Sequence, residues 1–144
     1  MKQITIKVAW NNSAFEGLVS SETSYGEMKI VTKDFNDIID MGEAELKIGF
    51  DGYTEFGLEL PEWYKNKEYE FVYKFQDVTA MLKAYSSYVS LAAISRETGI
   101  NSALLSHYAN GLKVPRNKQQ KIIVAGLHRI GALLSKCTID DERK

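Results

Sequence analysis

The chain has 144 residues, of which 44% are hydrophobic and 26% are charged, so it is long enough for one domain or two small ones and too apolar to be mostly disordered. Its single cysteine, Cys137, excludes an internal disulfide, and we expect neither a membrane span nor a signal peptide, because no long uninterrupted apolar stretch occurs. A cytoplasmic protein is the expectation that fits these features together.

The net charge of −1 conceals two halves of opposite sign. Residues 1–85 carry 9 Lys and Arg against 15 Asp and Glu, which gives −6, whereas residues 86–144 carry 9 against 4, which gives +5. Three of those four acids lie in 140–144, so the charged side chains of 86–139 are nearly all basic. An acidic half followed by a basic half predicts two modules with oppositely charged partners.

The first 75 residues combine strand patterns with one helix pattern. Apolar residues at every second position predict strands, and apolar residues at every third or fourth position predict a helix. The elements predicted in this way are strands over residues 2–10, 14–20 and 27–32 with a loop over 21–26, a helix over 35–48 capped by Asp34, a loop over 51–67, and a strand over 68–75. We therefore expect an α+β protein that begins with a β-β-β-α-β module, a small antiparallel sheet with one packed helix.

The last of these strands, EYEFVYKF, has an aromatic residue at every second position. We expect its aromatic face to pack on the helix over 35–48. Such a row can also stack nucleic-acid bases, but the acidic surroundings favour the core. The loop over 51–67 is unusually long for a compact domain, which is typical of a functional or dimer-contacting segment. The alternative there is a short turn of helix around Pro61–Tyr64.

Residues 90–115, SLAAISRETGINSALLSHYANGLKVP, have the pattern of two short helices joined by a tight turn. The predicted features are a helix over 91–98 with Ser90 as N-cap, a turn at Gly99, a helix over 102–110 with Asn101 as N-cap, and an end at Gly111 and Pro115. This spacing is that of a helix-turn-helix, whose second helix enters the DNA major groove. The stretch resembles the lambda-repressor-like (Xre) type; the alternative is an ordinary hairpin in a helical bundle.

Helices are also predicted on both sides of this stretch, one over Gln76–Tyr85 and one that has Asn117 as its N-cap and runs to about Lys136. The apolar stripe of the last helix is wider than a three-helix core needs, and the excess would suit a dimer seam. The domains expected from the sequence are residues 1–75, an all-α helix-turn-helix domain over 76–139, and a tail over 140–144.

Two sets of residues are candidates for contact with DNA. Serine and histidine can hydrogen-bond base edges, and an alanine methyl can contact a thymine methyl, whereas cations and amides bind phosphates. The candidates for bases are Ser102, Ala103, Ser106 and His107, and those for phosphates are Asn110, Lys113, Arg116 and Lys118. A single unit of this kind rarely suffices, so we expect a homodimer, or a higher homo-oligomer, on two half-sites of double-stranded DNA.

Catalytic motifs are not found in the sequence. There is no HExxH, cysteine cluster, P-loop or GxSxG, and the two histidines, His107 and His128, lie on separate predicted helices. The β-β-β-α-β order is similar to the ribonuclease H core, but nucleases of that fold need clustered carboxylates for metal ions, and the first strand offers Lys2, Thr5 and Lys7 instead. We expect a protein without enzymatic activity, metal or cofactor.

Over nearly its whole length the chain resembles the HicB family of antitoxins. The residues that carry the resemblance are the opening KQITIKV, residues 33–50, EYEFVYKF, and the stretch from Ser90 to Gln120. The resemblance implies a degenerate ribonuclease H-like first domain that neutralises a small basic HicA-type ribonuclease, which cleaves mRNA. It also implies a second domain that represses the operon encoding this type II toxin-antitoxin pair. The loop over 51–67 is longer than the most compact members need.

The alternative function is a stand-alone, phage-like transcriptional regulator. In that case the first domain would sense a ligand or only dimerise. The two functions differ in whether a small basic protein is encoded beside this chain.

Overall fold

A computed structural model describes residues 1–20 and 28–141, in which four strands and six helices occur. In chain order they are β1 (Lys2–Asn11), β2 (Ala14–Val19), β3 (Met28–Thr32), α1 (Asp37–Glu55), α2 (Glu62–Lys65), β4 (Tyr69–Phe75), α3 (Val78–Tyr85), α4 (Leu91–Thr98), α5 (Ser102–Ala109) and α6 (Asn117–Leu134). The fold is thus α+β, as expected. The loop expected over 21–26, the first residue of the third expected strand and residues 142–144 of the tail lie outside the described residues.

Contacts divide the chain into two units, Met1–Ala84 and Tyr85–Lys144. The boundary expected from the sequence, after residue 75, differs from this division by the length of α3 and the short segment before it. The first unit therefore contains the sheet, α1, α2 and nearly all of α3. The described helices α4, α5 and α6 belong to the second unit.

The sheet has the strand order β3-β2-β1-β4 and is mixed. β1 pairs antiparallel with β2, and β2 with β3, whereas β4 lies parallel to β1, with Ile4 beside Phe71 and Val8 beside Phe75. The antiparallel sheet expected from the sequence is therefore wrong at β4, because alternation predicts a strand but not its direction. Since β3 runs in the same direction as β1, the helical crossover through α1 returns β4 in that direction too.

Helix α1 covers one face of this sheet. It approaches closely at Gly42, where an added β-carbon would lie 3.3 Å from Cδ1 of Ile6 and 3.4 Å from the ring of Phe71. The hydroxyl of Tyr69 donates a hydrogen bond to the carboxylate of Glu43 on α1 at 2.6 Å. The prediction that the aromatic row of β4 faces this helix is confirmed. The inward side chains of β1 beneath it are fully buried: Ile4, Ile6 and Val8.

The region expected to be a long loop, 51–67, is partly helical. Helix α1 continues to Glu55, beyond its expected end at Ile48. Helix α2 is the short helical turn that was the alternative around Pro61–Tyr64, and it adds an element to the expected β-β-β-α-β order. Its aromatic residue Trp63 packs edge-on against Phe50 of α1, with ring centroids 5.6 Å apart.

The end of α1 shows why the sequence placed it too early. Gly52 suggests a helix breaker, but it is buried inside α1, where packing offsets the cost of about 1 kcal/mol that glycine has in a helix. The helix ends instead at Glu55, just before Gly57, which has a left-handed φ of 69°. The N–H of Leu58 donates to the carbonyl of Tyr53 at 2.8 Å, which is the bond of a Schellman motif.

Two expected helix caps lie differently from the prediction. Asp34 accepts the N–H of Asn36 at 3.0 Å and so stabilises the turn before α1, which begins at Asp37. Asn117 is the first residue of α6, and Arg116 takes the cap position without a side-chain bond. In both cases a residue type that favours the N-cap lies next to the helix start without occupying the N-cap position, because such side chains are also common in the neighbouring turns.

The second unit has its own buried apolar residues on each helix. Helices α4 and α6 meet near Gly126, and Arg129 of α6 donates from Nε to the carboxylate of Glu97 on α4 at 2.6 Å. The buried apolar side chains are Ile94, Ile100, Leu105, Tyr108 and Ile123. None of the helices in the described part of the chain combines the length and apolar character that a membrane crossing needs.

Candidate nucleic-acid interface

The turn between α4 and α5 is built by the residues that the sequence singled out. The hydroxyl of Ser90 accepts the N–H of Ala93 at 3.0 Å and caps α4. Gly99 ends α4 in the left-handed conformation, with φ of 78°, which residues with a β-carbon adopt only at a cost. Asn101 then caps α5, since its side-chain oxygen accepts the N–H of Ala103 at 2.7 Å. Both helices and both caps are confirmed.

Two further hydroxyls hold this turn, and the sequence did not reveal them. Thr98 donates to the carbonyl of Ile94 at 2.7 Å and accepts the N–H of Ile100 at 3.2 Å. Ser95 donates to the carbonyl of Ile100 at 2.6 Å. The backbone of Ile100 is therefore bonded through both of its polar groups, so the direction in which α5 leaves α4 is fixed. These bonds could have been predicted from the position of Ser95 and Thr98 near the end of α4, because serine and threonine side chains often bond to nearby backbone groups.

The residues predicted to contact bases lie on neighbouring faces of α5. Ser102 and Ala103 are exposed in its first turn, and Ser106 and His107 follow one turn later and are half-buried. The hydroxyl of Ser106 accepts a long hydrogen bond from the amide of Asn110 at 3.5 Å. The Nδ1 atom of His107 is buried and has no hydrogen-bond partner among the described residues. Any base contact by this residue therefore has to come from the rest of its ring.

The residues predicted to contact phosphates, Asn110, Lys113, Arg116 and Lys118, are all exposed. The three cations among them line a groove of about 690 Å³, which is also lined by Tyr108, Val114, Gln119 and Ile122. Within the described chain, none of the three is paired with a carboxylate. The N-terminus of α6 lies at the same place, and its dipole adds partial positive charge. The structure thus brings three of the four predicted phosphate contacts to one surface that attracts anions, and Asn110 is not among the residues that line it.

The acidic residue of this unit that precedes the tail, Glu97, forms an ion pair away from the groove. Glu97 is the only acidic residue between positions 86 and 139, and it is bonded to Arg129 at 2.6 Å, with a second bond from the guanidinium to its own carbonyl at 3.0 Å. The carboxylate is therefore neutralised by a residue outside the groove. The groove cations Lys113, Arg116 and Lys118 keep their charge for a ligand.

In the first unit, acidic side chains lie along the exposed side of α1 and beyond its end. Glu55 lies in the last turn of α1, which contains no basic residue, so its charge adds to the negative end of the helix dipole. Glu59 follows on the exposed segment after the helix. The same end of the helix exposes two large apolar residues, Phe56 and Leu58. This surface is suited to a partner that is both basic and partly apolar.

Side chains that could bind a metal are dispersed. In the part of the chain that the structure describes, no group of three or more His, Cys, Asp or Glu is placed to hold an ion. Comparison of the chain with protein-family models, with curated proteins and with solved structures gives no match in any of the three.

Proposed function

We propose that this chain is an antitoxin and autorepressor of the HicB type. Its second unit acts as an all-α helix-turn-helix domain that binds operator DNA. Its first unit neutralises a small basic ribonuclease of the HicA type. The observation that carries the proposal is the fixed turn at Gly99, which presents α5 beside a groove whose three cations pair with no carboxylate of the described residues.

For DNA, the proposal assigns reading to the start of α5 and affinity to the groove. A base-reading helix needs a defined orientation, which the bonds of Ser95 and Thr98 to the turn provide. The small side chains of Ser102 and Ala103 allow the helix to approach base edges closely, and Lys113 and Arg116 bind phosphates on its flank. Because no arginine faces the bases in this arrangement, DNA shape contributes to selectivity.

A twofold dimer completes this half of the proposal. Leu133 and Leu134, at the end of α6, are largely exposed, which agrees with the apolar excess noted in the sequence. Two copies joined through these side chains would present two α5 helices to successive half-sites of an operator. Light scattering measures the molar mass of wild type and of a Leu133→Ser, Leu134→Ser variant. An equal mass for the two would contradict a dimer contact through these leucines.

For the toxin, the proposal relies on charge. Residues 1–85 carry −6, and the exposed acids at the end of α1 concentrate part of that charge beside Phe56 and Leu58. A basic ribonuclease must have a cationic surface for RNA, and an acidic protein that covers that surface both blocks it and associates quickly. The family resemblance supports the same partner.

Co-expression with the adjacent reading frame tests the proposal. If that frame encodes a small basic protein, its expression alone should arrest growth, and this chain should restore growth and co-purify with it. The chain should also bind the DNA upstream of its own gene more tightly than random DNA. Failure of rescue with retained DNA binding would favour the second candidate, a stand-alone regulator, in which the exposed Phe56 and Leu58 pair two copies of the first unit.

A further inference from the structure

The loop between α5 and α6 holds two large apolar side chains in solvent. Leu112 is 71% exposed and Val114 is 82% exposed, whereas the neighbouring Pro115 is buried. Helix α5 ends in a Schellman motif at Gly111, with φ of 76°, and the N–H of Leu112 donates to the carbonyl of His107 at 2.9 Å. In this motif the residue at the position of Leu112 frequently packs back on its helix. Here Leu112 remains exposed. Its apolar side chain therefore does not serve to pack against the end of α5.

The loop backbone is anchored at both ends. The N–H of Lys113 also donates to the carbonyl of His107, at 3.4 Å, and the side-chain amide of Gln120 on α6 donates to the carbonyl of Pro115 at 3.1 Å. Leu112 and Val114 are therefore presented outward by a backbone that is fixed on each side. A fixed apolar pair loses little conformational entropy when it is covered.

The surroundings of the pair indicate what covers it. Lys113 lies between the two apolar residues, Arg116 and Lys118 follow, and Val114 itself lines the groove with these cations. Cations interleaved with apolar side chains match the backbone of DNA, where phosphates alternate with the apolar faces of deoxyribose. A second copy of this loop fits poorly, because a twofold contact of the surface with itself would bring these cations together.

We propose that Leu112 and Val114 pack against deoxyribose beside the phosphates bound by Lys113 and Arg116. This inference rests on the proposed binding of DNA by the second unit. The apolar pair supplies the part of the affinity that does not depend on salt, because burial of apolar surface releases no counterions, whereas the cations supply the part that does. Sugars carry no sequence, so this contribution is equal for operator and random DNA.

The test measures the affinity of the full chain for the DNA upstream of its gene and for a random duplex of equal length, over a series of salt concentrations. For Leu112→Ser with Val114→Ser we expect binding that is roughly tenfold weaker at every salt concentration and for both duplexes, with the salt slope unchanged. The control is Ile139→Ser, which removes an equally exposed side chain (88%) from the same unit and should change neither quantity.

Three results overturn this inference: an unchanged affinity, a flatter salt slope, or a loss confined to one of the two duplexes. Loss of self-association in light scattering also overturns it, since it would assign the pair to a contact between copies. If the wild-type chain binds neither duplex, the proposed DNA function itself fails. Thermal melting confirms that the variant is folded, because both side chains are exposed and their removal leaves the core intact.

Discussion

Gly126 on α6 lies so close to Thr98 on α4 that a β-carbon added to the glycine would stand 2.5 Å from Cγ2 of the threonine. Thr98 cannot rotate away without loss, because its hydroxyl bonds to Ile94 and to Ile100 at the turn before α5. The packing of α6 on α4 is thus joined to the geometry of the turn.

Gly126→Ala should therefore destabilise the second unit by about 1–3 kcal/mol, the usual cost of overpacking. Gly131→Ala on the same helix is a matched control, since nothing lies within 4 Å of the added carbon, and it should stabilise by up to about 1 kcal/mol through helix propensity. Chemical denaturation measures both. Equal effects of the two alanines would show that the contact with Thr98 is not tight.

Lys113→Ala with Arg116→Ala tests the groove. Each lost phosphate contact should flatten the slope of log affinity against log salt by about 0.9, with weaker binding to all sequences. The control is Lys136→Ala, an exposed cation beyond the end of α6. If the control flattens the slope as much as the double variant, binding follows net charge and not this groove.

Ser102→Ala with Ser106→Ala tests the reading face of α5. We expect loss of discrimination between operator and random DNA, by roughly 1 kcal/mol for each hydrogen bond removed, with the salt slope retained. Competition binding with the two duplexes gives the ratio directly. Alanine is compatible with the helix, so unchanged discrimination would move base reading away from α5.

Glu55→Lys with Glu59→Lys tests the acidic surface at the end of α1. Lysine in the last turn favours the helix dipole, so the fold should tolerate the change, while association with a basic partner should weaken by about tenfold or more. The control, Asp140→Lys with Asp141→Lys, changes the net charge equally but lies in the other half of the chain. Calorimetric titration with the co-expressed partner compares the affinities of the two double variants. Equal weakening would show that the partner responds to net charge at long range and does not contact the end of α1.

Tyr69 gives the first unit a dependence on alkaline pH. Burial and the hydrogen bond to Glu43 raise the pKa of its hydroxyl above the usual 10.0. A raised pKa in the folded state means that the stability from this group is complete below pH 10 and is lost as the pH rises through the folded value. In Tyr69→Phe the free energy of unfolding should fall less steeply above pH 10 than in wild type. Chemical denaturation at a series of pH values gives the two profiles. If the free energy of unfolding falls equally steeply in both proteins, Tyr69 does not cause the dependence on pH.

The sequence predicted the α4–α5 unit closely because its signals are local. Ser90 and Asn101 occupy N-cap positions, and Gly99 has a left-handed backbone conformation. Positions of these kinds strongly favour particular residue types, so they can be recognised in the sequence. The bonds of Ser95 and Thr98 were missed, since these residue types are also common on helix surfaces.

The incorrect predictions in the first unit concern features that depend on contacts between residues far apart in the sequence. The direction of β4 depends on the path of the whole crossover, and the continuation of α1 through Gly52 depends on packing that only the folded unit provides. Likewise, the exposure of Leu112 and Val114 depends on the folded loop, because leucine and valine are most often buried.

The parallel pairing of β1 with β4 also has a consequence for how the chain is made. β1 is an inner strand, and one of its two neighbours is encoded near residue 70, so while the ribosome is still synthesising α1 one edge of β1 has no partner. The contacts of α4 with α5, by contrast, join residues close in sequence and should form quickly once translated. We therefore expect completion of the sheet, and not of the helical unit, to limit the rate at which a newly synthesised chain becomes active.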